Sequence, residues 1–313
     1  MQDKTKSNNT PQPDAATIAT QVELATRFRI TDGTNFRLSA CPTRAAQDCG
    51  LAKKGGKRRL YERIGHLSDL QARLYANGQW SVLVVLQALD AAGKDGVIKH
   101  VMSGINPEGV NVTSFKQPGP VELAHDYLWR EHLALPQGGH IGIFNRSYYE
   151  EVLVTRVHPE ILENQKIPPQ LRKSPTLWDD RCRDIRHFEE YLARQGTVVI
   201  KFFLHLSKDE QRKRFLSRIN HPEKNWKFSA ADIHERGYWD SYQDAYEQAI
   251  RNTAGPHAPW FVVPADQKWF ARLVVIEAMI AALEQLDLQT PKLDATARAE
   301  MKKARQQLMA EKA

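Results

Sequence analysis

The stretch that most constrains this chain runs from Ser81 to His100 and reads SVLVVLQALDAAGKDGVIKH. A wholly apolar run is followed by a turn of small residues that ends in Gly93 and Lys94, and then by an amphipathic segment. A strand, a glycine-containing loop and a helix in this order are typical of a phosphate-binding loop, where backbone N–H groups and a lysine surround an anion. The same residues also fit a buried strand that turns into a helix with a solvated Lys94.

The loop departs from the common pattern G-x-x-x-x-G-K-[ST] at two positions. Ala88 stands where the first glycine would be, and Asp95 replaces the hydroxyl residue that normally contacts Mg²⁺. Asp90, inside the loop, is an oxygen ligand that the common pattern lacks. We therefore expect a loop that binds phosphate with its metal contacts rearranged.

Composition limits the class of protein. With 313 residues, 42% of them hydrophobic, the chain can bury the core of one large α/β domain. A net charge of +7 favours polyanionic partners. Cys41, Cys49 and Cys182 form no CxxC pair, which fits a reducing compartment. The sequence shows no apolar signal segment and no run long enough to span a membrane, so we expect a cytoplasmic protein.

Hydrophobic patterning predicts strands that alternate with helices, as in a mostly parallel sheet covered on both faces. The predicted strands are Val82–Leu86, Asn111–Phe115, Ile141–Asn145, Val198–Leu204 and Trp260–Val263. The predicted helices are Leu60–Asn77, Gly96–Ser103, Val121–Leu133, Tyr148–Val154, Asp179–Gln195, Lys208–Asn220, Lys268–Leu286 and Asp294–Lys312. We interpret residues 1–15 as a disordered tail, 16–290 as the α/β domain and 291–313 as a charged C-terminal helix. The basic run Ala52–Arg59 is either a solvated linker or the edge of an anion channel.

A second polar pair follows the strand Ile141–Asn145. Asn145 can coordinate a metal through its carbonyl oxygen, and Arg146 can hold a phosphate in a bidentate manner. The alternative is a strand end whose arginine pairs with a nearby acid. Upstream, Asp126 and Arg130 are four residues apart on a helical pattern. They could form a surface salt bridge, or Asp126 could supply the charge that Asn145 lacks or recognise the acceptor.

A third segment, from Arg212 to Trp239, is rich in arginine and lysine and is interrupted after Asn220, with a new helix expected at Ser229. Such a hinged helical excursion can close over a site and neutralise a transferring phosphoryl group. It also fits an ordinary basic helical hairpin on the surface.

Four motifs in order resemble the family-2 polyphosphate kinases: DAAGKDG, FNRSYYEEVLVTRVHPE, NHPEKNWKFSAAD and APWFVVPADQKWFARL. The form FNRSYYEE, with HDYLWR upstream, resembles the subgroup that acts on both AMP and ADP. The resemblance implies a P-loop kinase-like, three-layer α/β/α fold with a helical lid at about residues 208–240. It also implies Mg²⁺- or Mn²⁺-dependent transfer between inorganic polyphosphate and nucleoside mono- and diphosphates, in a homo-oligomer (a dimer or tetramer).

The resemblance also suggests roles for individual residues. Asp90, Gly93 and Lys94 fall on the family's Walker A positions, and Arg146 on its Walker B arginine, whereas many relatives have aspartate where this chain has Asn145. We expect catalysis by Asp90, Lys94, Arg146 and Arg218, with Asp90 and Asn145 as metal ligands. The expected phosphate- and nucleotide-binding residues are Ala91, Ala92, Gly93, Asp95, Gly96, Asp126, Asn145, Lys224 and Lys227.

Phosphoryl transfer to an anionic phosphate needs positioning and charge neutralisation more than a strong base. Lys99, Arg181 and Lys201 are further candidates for lining a polyphosphate channel, although each could equally be a surface or structural residue. Two other functions remain open. One is a nucleoside or nucleotide kinase that uses ATP as donor, and the other is a non-enzymatic P-loop-like protein that binds nucleic acid, for which no recognised module is present.

Overall fold

The computed structural model describes residues 24–311. Its centre is a six-stranded sheet in the order β1–β6–β5–β2–β4–β3, with β1 antiparallel to β6 and the other neighbours parallel. The strands are β1 (Arg29–Ile30), β2 (Ser81–Gln87), β3 (Val110–Ser114), β4 (Ile141–Asn145), β5 (Thr197–His205) and β6 (Trp260–Pro264). The five predicted strands are confirmed within one residue at each end, and β1 was not predicted.

Helices pack against both faces of this sheet. They are α1 (Lys53–Asn77), α2 (Lys94–Val101), α3 (Pro120–Leu123), α4 (Trp129–Leu133), α5 (Glu150–Val157), α6 (Pro169–Arg172), α7 (Leu177–Arg194), α8 (Lys208–Asn220), α9 (Ala230–Glu235), α10 (Trp239–Thr253), α11 (Lys268–Glu284) and α12 (Ala295–Ala310). Helices α1, α2 and α11 cover one face, and α5, α7 and α10 cover the other. Together with the sheet they confirm the predicted three-layer α/β/α fold.

Strand β2 shows why the sheet is covered on both faces. All seven of its residues are buried. Val82, Val84 and Leu86 join the core under α1 and α11, whereas Leu83 and Val85 join the core under α7 and α10. Successive side chains of a strand point to opposite faces, so a continuous apolar run is what a central parallel strand requires.

Two predicted segments differ from the structure. The expected helix Val121–Leu133 is wrong: α3 ends after one turn and α4 begins only at Trp129. The Asp126 side chain accepts a hydrogen bond from the backbone N–H of Leu128 (3.0 Å), a local bond that competes with helix formation. The basic run Ala52–Arg59 is not a linker, because Lys53–Arg59 form the first two turns of α1, whereas its alternative role at the edge of an anion channel stays a prediction.

The Arg212–Trp239 segment forms the predicted helical excursion. Helix α8 ends at Asn220, a 3₁₀ segment spans Pro222–Lys227, and the Ser229 side chain caps α9 by accepting from the N–H of Ala231. The C-terminal helix α12 begins after Asp294, and none of its residues is buried. The predicted tail 1–15 and the predicted end of α12 at Lys312 lie outside the described residues. Among residues 24–311, none of the helices combines the length and the apolar character needed to cross a bilayer.

Candidate active site

The candidate site lies where the chain changes direction in the sheet. In the sheet, β3 and β4 lie on one side of β2, whereas β5 and β6 lie on its other side, so the strand order reverses at β2. The carboxyl ends of β2 and β4 therefore border a crevice of the kind in which open α/β sheets bind ligands. The loop with Asp90 and Lys94 follows β2, while Asn145 ends β4. A cavity of about 580 Å³ occupies this position.

The loop after β2 has the backbone of a tight anion-binding turn. Ala91 and Gly93 have φ values of 63° and 109°. The left-handed region is costly for alanine and easy for glycine, so the loop holds a strained conformation next to the start of α2. The Lys94 Nζ donates to the carbonyl oxygen of Ala88 at 2.8 Å, across the loop. Burial lowers the pKa of Lys94, and the Asp90 carboxylate partly offsets this effect.

Asp90 and Arg146 join the two strand ends. The Arg146 Nη2 lies 3.3 Å from the Asp90 Oδ1, and both side chains are partly exposed. Arg146 has a φ of 66°, and its backbone N–H donates to the carbonyl oxygen of Leu86. Burial lowers the pKa of Arg146, but the carboxylates of Glu150 and Asp90 outweigh it and raise the pKa. Arg146 thus pairs with a nearby acid, which was one of the two alternatives for it, and that acid, Asp90, belongs to the phosphate-binding loop.

Asn145 offers an oxygen to the same cavity. Its Nδ2 donates to the Asp95 Oδ1 (3.2 Å) and to the Ser114 Oγ (3.4 Å), which orients the carbonyl oxygen. That oxygen is buried and has no hydrogen-bond partner. Mg²⁺ commonly binds through one or two protein oxygens together with water and substrate phosphates, so Asn145 and Asp90 fit a Mg²⁺ site of this type. No cluster of three or more metal-binding side chains occurs within residues 24–311.

The charge of the cavity is strongly positive. Its lining includes two carboxylates, those of Asp90 and Asp95, and nine basic side chains. These are Lys94, Lys116, Arg146, Arg214, Arg218, Lys224, Lys227, Lys268 and Arg272. Burial and the nearby Arg214 lower the pKa of both Lys268 and Arg272, so cations are crowded here with too few acids to neutralise them. The arrangement favours a ligand with several negative charges.

The lid contributes four of these cations, Arg214, Arg218, Lys224 and Lys227. Arg218 pairs with Asp232 at 3.0 Å and donates to the carbonyl oxygen of Lys227, which ties α8 to the later part of the lid. The Lys227 Nζ lies 3.8 Å from the Asp95 Oδ2. Lys224 lines the same cavity. The lid is therefore in contact with the phosphate-binding loop.

A second cavity, of about 490 Å³, adjoins the first. Leu89, Asp90 and Arg146 line both of them. The remainder of the second lining is more aromatic and more acidic, and it includes Glu150, His158, Asp232, Glu235, Trp239, Tyr242 and Tyr246. His158 is held by the Glu235 carboxylate, 2.9 Å from its Nε2. The Asp90–Arg146 pair thus stands between two cavities of different character.

The structure brings most of the predicted site residues together. Residues 90–96, Asn145, Arg146, Arg218, Lys224 and Lys227 all line the basic cavity. Asp126 lines a third cavity that shares no lining residue with the other two. Arg130 pairs with Glu122 and Glu131 rather than with Asp126, so the proposed salt bridge is wrong.

The three further channel candidates do not line either cavity next to the loop. Lys99 is exposed on α2. Arg181 is buried against Glu151, and Lys201 is fully buried against Glu189. A place in a channel is therefore wrong for Arg181 and Lys201, which are structural cations, and Lys99 lines neither cavity.

Sequence reasoning missed Lys268 and Arg272 on α11, and the acidic and aromatic lining of the second cavity. Lys268 and Arg272 are four residues apart and follow a strand, a spacing that places both on one helix face. That signal was available within the motif ADQKWFAR. No local pattern distinguishes Glu150 or Tyr242 from ordinary helix residues.

Comparison with known proteins agrees with this geometry. A model of the family "Polyphosphate kinase 2 (PPK2)" matches residues 50–291. An "ADP-polyphosphate phosphotransferase" of Rhodopseudomonas palustris is 50% identical over 283 residues, covering 90% of this chain and 98% of the relative. An "AMP/ADP-polyphosphate phosphotransferase" of Meiothermus ruber is 46% identical over 269 residues, covering 85% and 95%.

A solved structure gives the same result for the fold. The crystal structure of polyphosphate kinase 2 from Arthrobacter aurescens TC1 superposes with a TM-score of 0.82 at 38% identity, covering 90% of this chain and 96% of the other. The family model matches residues 50–291, and the alignments with the two relatives also extend over most of the chain. This chain therefore belongs to the polyphosphate kinase 2 family.

Proposed function

We propose that this protein transfers a phosphoryl group, reversibly, from inorganic polyphosphate to AMP, ADP or both, forming ADP and ATP. The observation that carries the proposal is that nine basic side chains, from several parts of the chain, line the cavity beside the loop after β2. An inorganic phosphate chain has a negative charge on every unit and no base or sugar to recognise. Distributed cations are what such a donor requires. The names of the relatives support the same donor.

The two adjoining cavities suit a donor and an acceptor that meet at Asp90 and Arg146. The basic cavity would hold the end of the polyphosphate chain against Lys94 and the loop amides. The second cavity, with Trp239 and Tyr242 in its lining, has the aromatic surface on which a base can stack. Arg146 borders both, so its guanidinium would stabilise charge on the group in transfer. The acceptor oxygen is already anionic, so no strong general base is needed.

We also propose that the reaction uses Mg²⁺ or Mn²⁺, which the side-chain oxygens of Asp90 and Asn145 would hold. A divalent ion bound there would neutralise charge on the phosphate oxygens. The lid residues Arg218, Lys224 and Lys227 would exclude water and neutralise charge around the donor. Homo-oligomeric assembly, a cytoplasmic location and membership of the subgroup that uses both AMP and ADP remain predictions.

The test of this function uses ATP-free conditions. The purified protein is incubated with polyphosphate and, separately, AMP, ADP, GMP or GDP, and the products are followed by chromatography. We expect nucleotides with one more phosphate than the acceptor. Products that appear only when ATP replaces polyphosphate would instead favour an ATP-dependent kinase. Salt-sensitive binding of RNA or DNA without any transfer would favour a nucleic-acid-binding protein.

Asp90→Asn is expected to raise the Mg²⁺ concentration needed for half-maximal rate. A hard cation prefers a charged oxygen, and the substitution removes that charge with little change of shape. The measurement is a Mg²⁺ titration of initial rate at saturating substrates. Asp209→Asn, at an exposed position on the first turn of α8, is the control. Retained activity with an unchanged titration in Asp90→Asn would move the metal site elsewhere.

Asn145→Asp is expected to change the ratio of AMP to ADP activity more than it changes stability. The new carboxylate would face Asp95, which now accepts a hydrogen bond from the Asn145 amide. Added negative charge disfavours the more highly charged acceptor, so kcat/KM should fall more for ADP than for AMP. The measurement is kcat/KM for both acceptors, with the thermal midpoint as control. Equal proportional losses would mean that Asn145 serves the common transfer step.

The proposal that Asp126 recognises the acceptor is tested by the same two rate constants in Asp126→Asn. A loss mainly for AMP would mean that the acceptor site extends to the cavity that Asp126 lines. Unchanged rates would remove Asp126 from the site.

A further inference from the structure

Arg214 lies beneath the phosphate-binding loop, on the first half of the lid helix α8. Its side chain is buried, and its guanidinium reaches four backbone carbonyl oxygens. Nη1 donates to Ala91 (3.1 Å) and Ala92 (2.6 Å) in the loop, and Nη2 donates to Ala265 (2.6 Å) and Asp266 (3.2 Å) after β6. Three parts of the chain that are distant in sequence thus meet on one side chain.

All the hydrogen-bonding capacity of this arginine is used within the protein. A guanidinium has five N–H donors in a fixed planar arrangement. Four serve the carbonyl oxygens, and Nε donates to the Glu210 Oε1 at 3.0 Å. Arg214 therefore has no donor left for a phosphate, although it borders the basic cavity. This separates it from Arg218, which also borders the cavity but donates to the Lys227 carbonyl oxygen and the Asp232 carboxylate in the later part of the lid.

The contacts determine the orientation of the loop peptides. The Gln211 Nε2 donates to the carbonyl oxygen of Asp90 at 3.0 Å, so Gln211 and Arg214 together hold three successive carbonyls of the loop. In a planar trans peptide the C=O and N–H groups point in opposite directions. Holding the carbonyls of Asp90 and Ala92 towards α8 therefore directs the N–H groups of Ala91 and Gly93 away from α8. Carbonyl oxygens turned towards a bound phosphate would repel it.

We propose that Arg214 is a positioning residue that, with Gln211, fixes the peptide orientation of the phosphate-binding loop and couples that loop to the root of the lid. Binding of a phosphate chain to the loop and ordering of the lid helix then favour each other, because both depend on the same bonds. The kinetic part of this inference rests on the proposed function, whereas the structural part does not.

The test compares Arg214→Lys with Arg212→Lys. Both substitutions keep the positive charge, but lysine cannot bridge two pairs of carbonyl oxygens. Arg212 is exposed on the same helix, which makes it the matched control. The first readout is hydrogen exchange of the loop amides at residues 89–96 without ligand, alongside the thermal midpoint. The second is calorimetric binding of tripolyphosphate.

In Arg214→Lys we expect faster exchange of the loop amides and a lower thermal midpoint, because lysine leaves some of the buried carbonyl oxygens unpaired, with the protein still folded at the assay temperature. Tripolyphosphate binding and kcat/KM should each fall by about tenfold to a hundredfold, the scale that small misplacements of binding groups produce. Arg212→Lys should match the wild type in every measurement. If Arg214→Lys does not fold, Gln211→Leu removes one loop contact and should show faster exchange and weaker binding to a smaller degree.

Two results would overturn the proposal. Weaker tripolyphosphate binding with wild-type exchange would mean that Arg214 contacts the phosphate directly. Wild-type exchange and binding in the substituted proteins would mean that the loop needs no such support. If the wild type transfers no phosphoryl group at all, the proposed function fails, but the exchange comparison still decides the role of Arg214.

Discussion

Lys94→Ala is expected to fold like the wild type and to lower turnover by at least ~10²-fold, the scale seen when a group directed at developing charge is removed. Lys94 follows Gly93 at the start of α2, and its amine crosses the loop to the carbonyl oxygen of Ala88. Burial already lowers the pKa of this amine, so a bound polyanion would interact with it strongly. No other lysine is placed inside the loop.

The measurement for Lys94→Ala is the steady-state rate with polyphosphate and ADP, together with circular dichroism and the thermal midpoint. Lys99→Ala is the control, because this lysine is exposed on the same helix. Its rate should equal that of the wild type. Near-normal turnover in a well-folded Lys94→Ala protein would contradict the assignment of the phosphate-binding loop.

Glu189→Leu is expected to produce the largest loss of stability, roughly 3–5 kcal/mol, because it leaves the Lys201 ammonium buried without its partner. The two side chains are fully buried, and the Lys201 Nζ lies 2.6 Å from the Glu189 Oε2. Lys201 also donates to the Tyr149 hydroxyl and to the carbonyl oxygen of Thr253, so all three of its N–H donors are used. Glu189 accepts from the hydroxyls of Tyr148 and Tyr149 as well.

Urea unfolding of Glu189→Leu measures this loss. The double variant Glu189→Leu/Lys201→Met removes both charges and should recover much of the stability. Glu190→Leu is the control, since Glu190 is partly exposed and its nearest basic partners, Arg186 and His257, lie 3.8 Å away. It should change the free energy of unfolding by no more than about 1 kcal/mol. A small loss in Glu189→Leu would mean that Lys201 is neutral or reaches water.

The parts of this protein that sequence predicts well are those fixed by local chemistry. Ser81–His100 contains its own strand, turn and helix signals, and the structure places all of them as expected. Asn145 and Arg146 meet the loop because the carboxyl ends of adjacent parallel strands lie at the same edge of a sheet. Within the lid, helix α8 ends at Asn220 and α9 begins after Ser229, where Pro222 and a serine cap supply the signals.

The errors concern residues whose neighbours are distant in sequence. The i, i+4 spacing of Asp126 and Arg130 has meaning only in a continuous helix, and that helix is broken between α3 and α4. A channel role for Lys201 ignored its place in the middle of the buried strand VVIKFFLH, where a cation must be paired. The contacts of Arg214 with the loop and with Ala265 span more than fifty positions, so no local pattern could reveal them.

The most direct test of phosphoryl transfer at this loop follows a labelled phosphate. Polyphosphate labelled with ³²P is incubated with unlabelled ADP, Mg²⁺ and either the wild type or Lys94→Ala, and the nucleotides are separated and degraded stepwise. We expect label in the γ-phosphate of ATP formed by the wild type, and a greatly reduced amount with Lys94→Ala. Label that stays in polyphosphate while the wild type is folded, or equal labelling of ATP by the two proteins, would contradict the account.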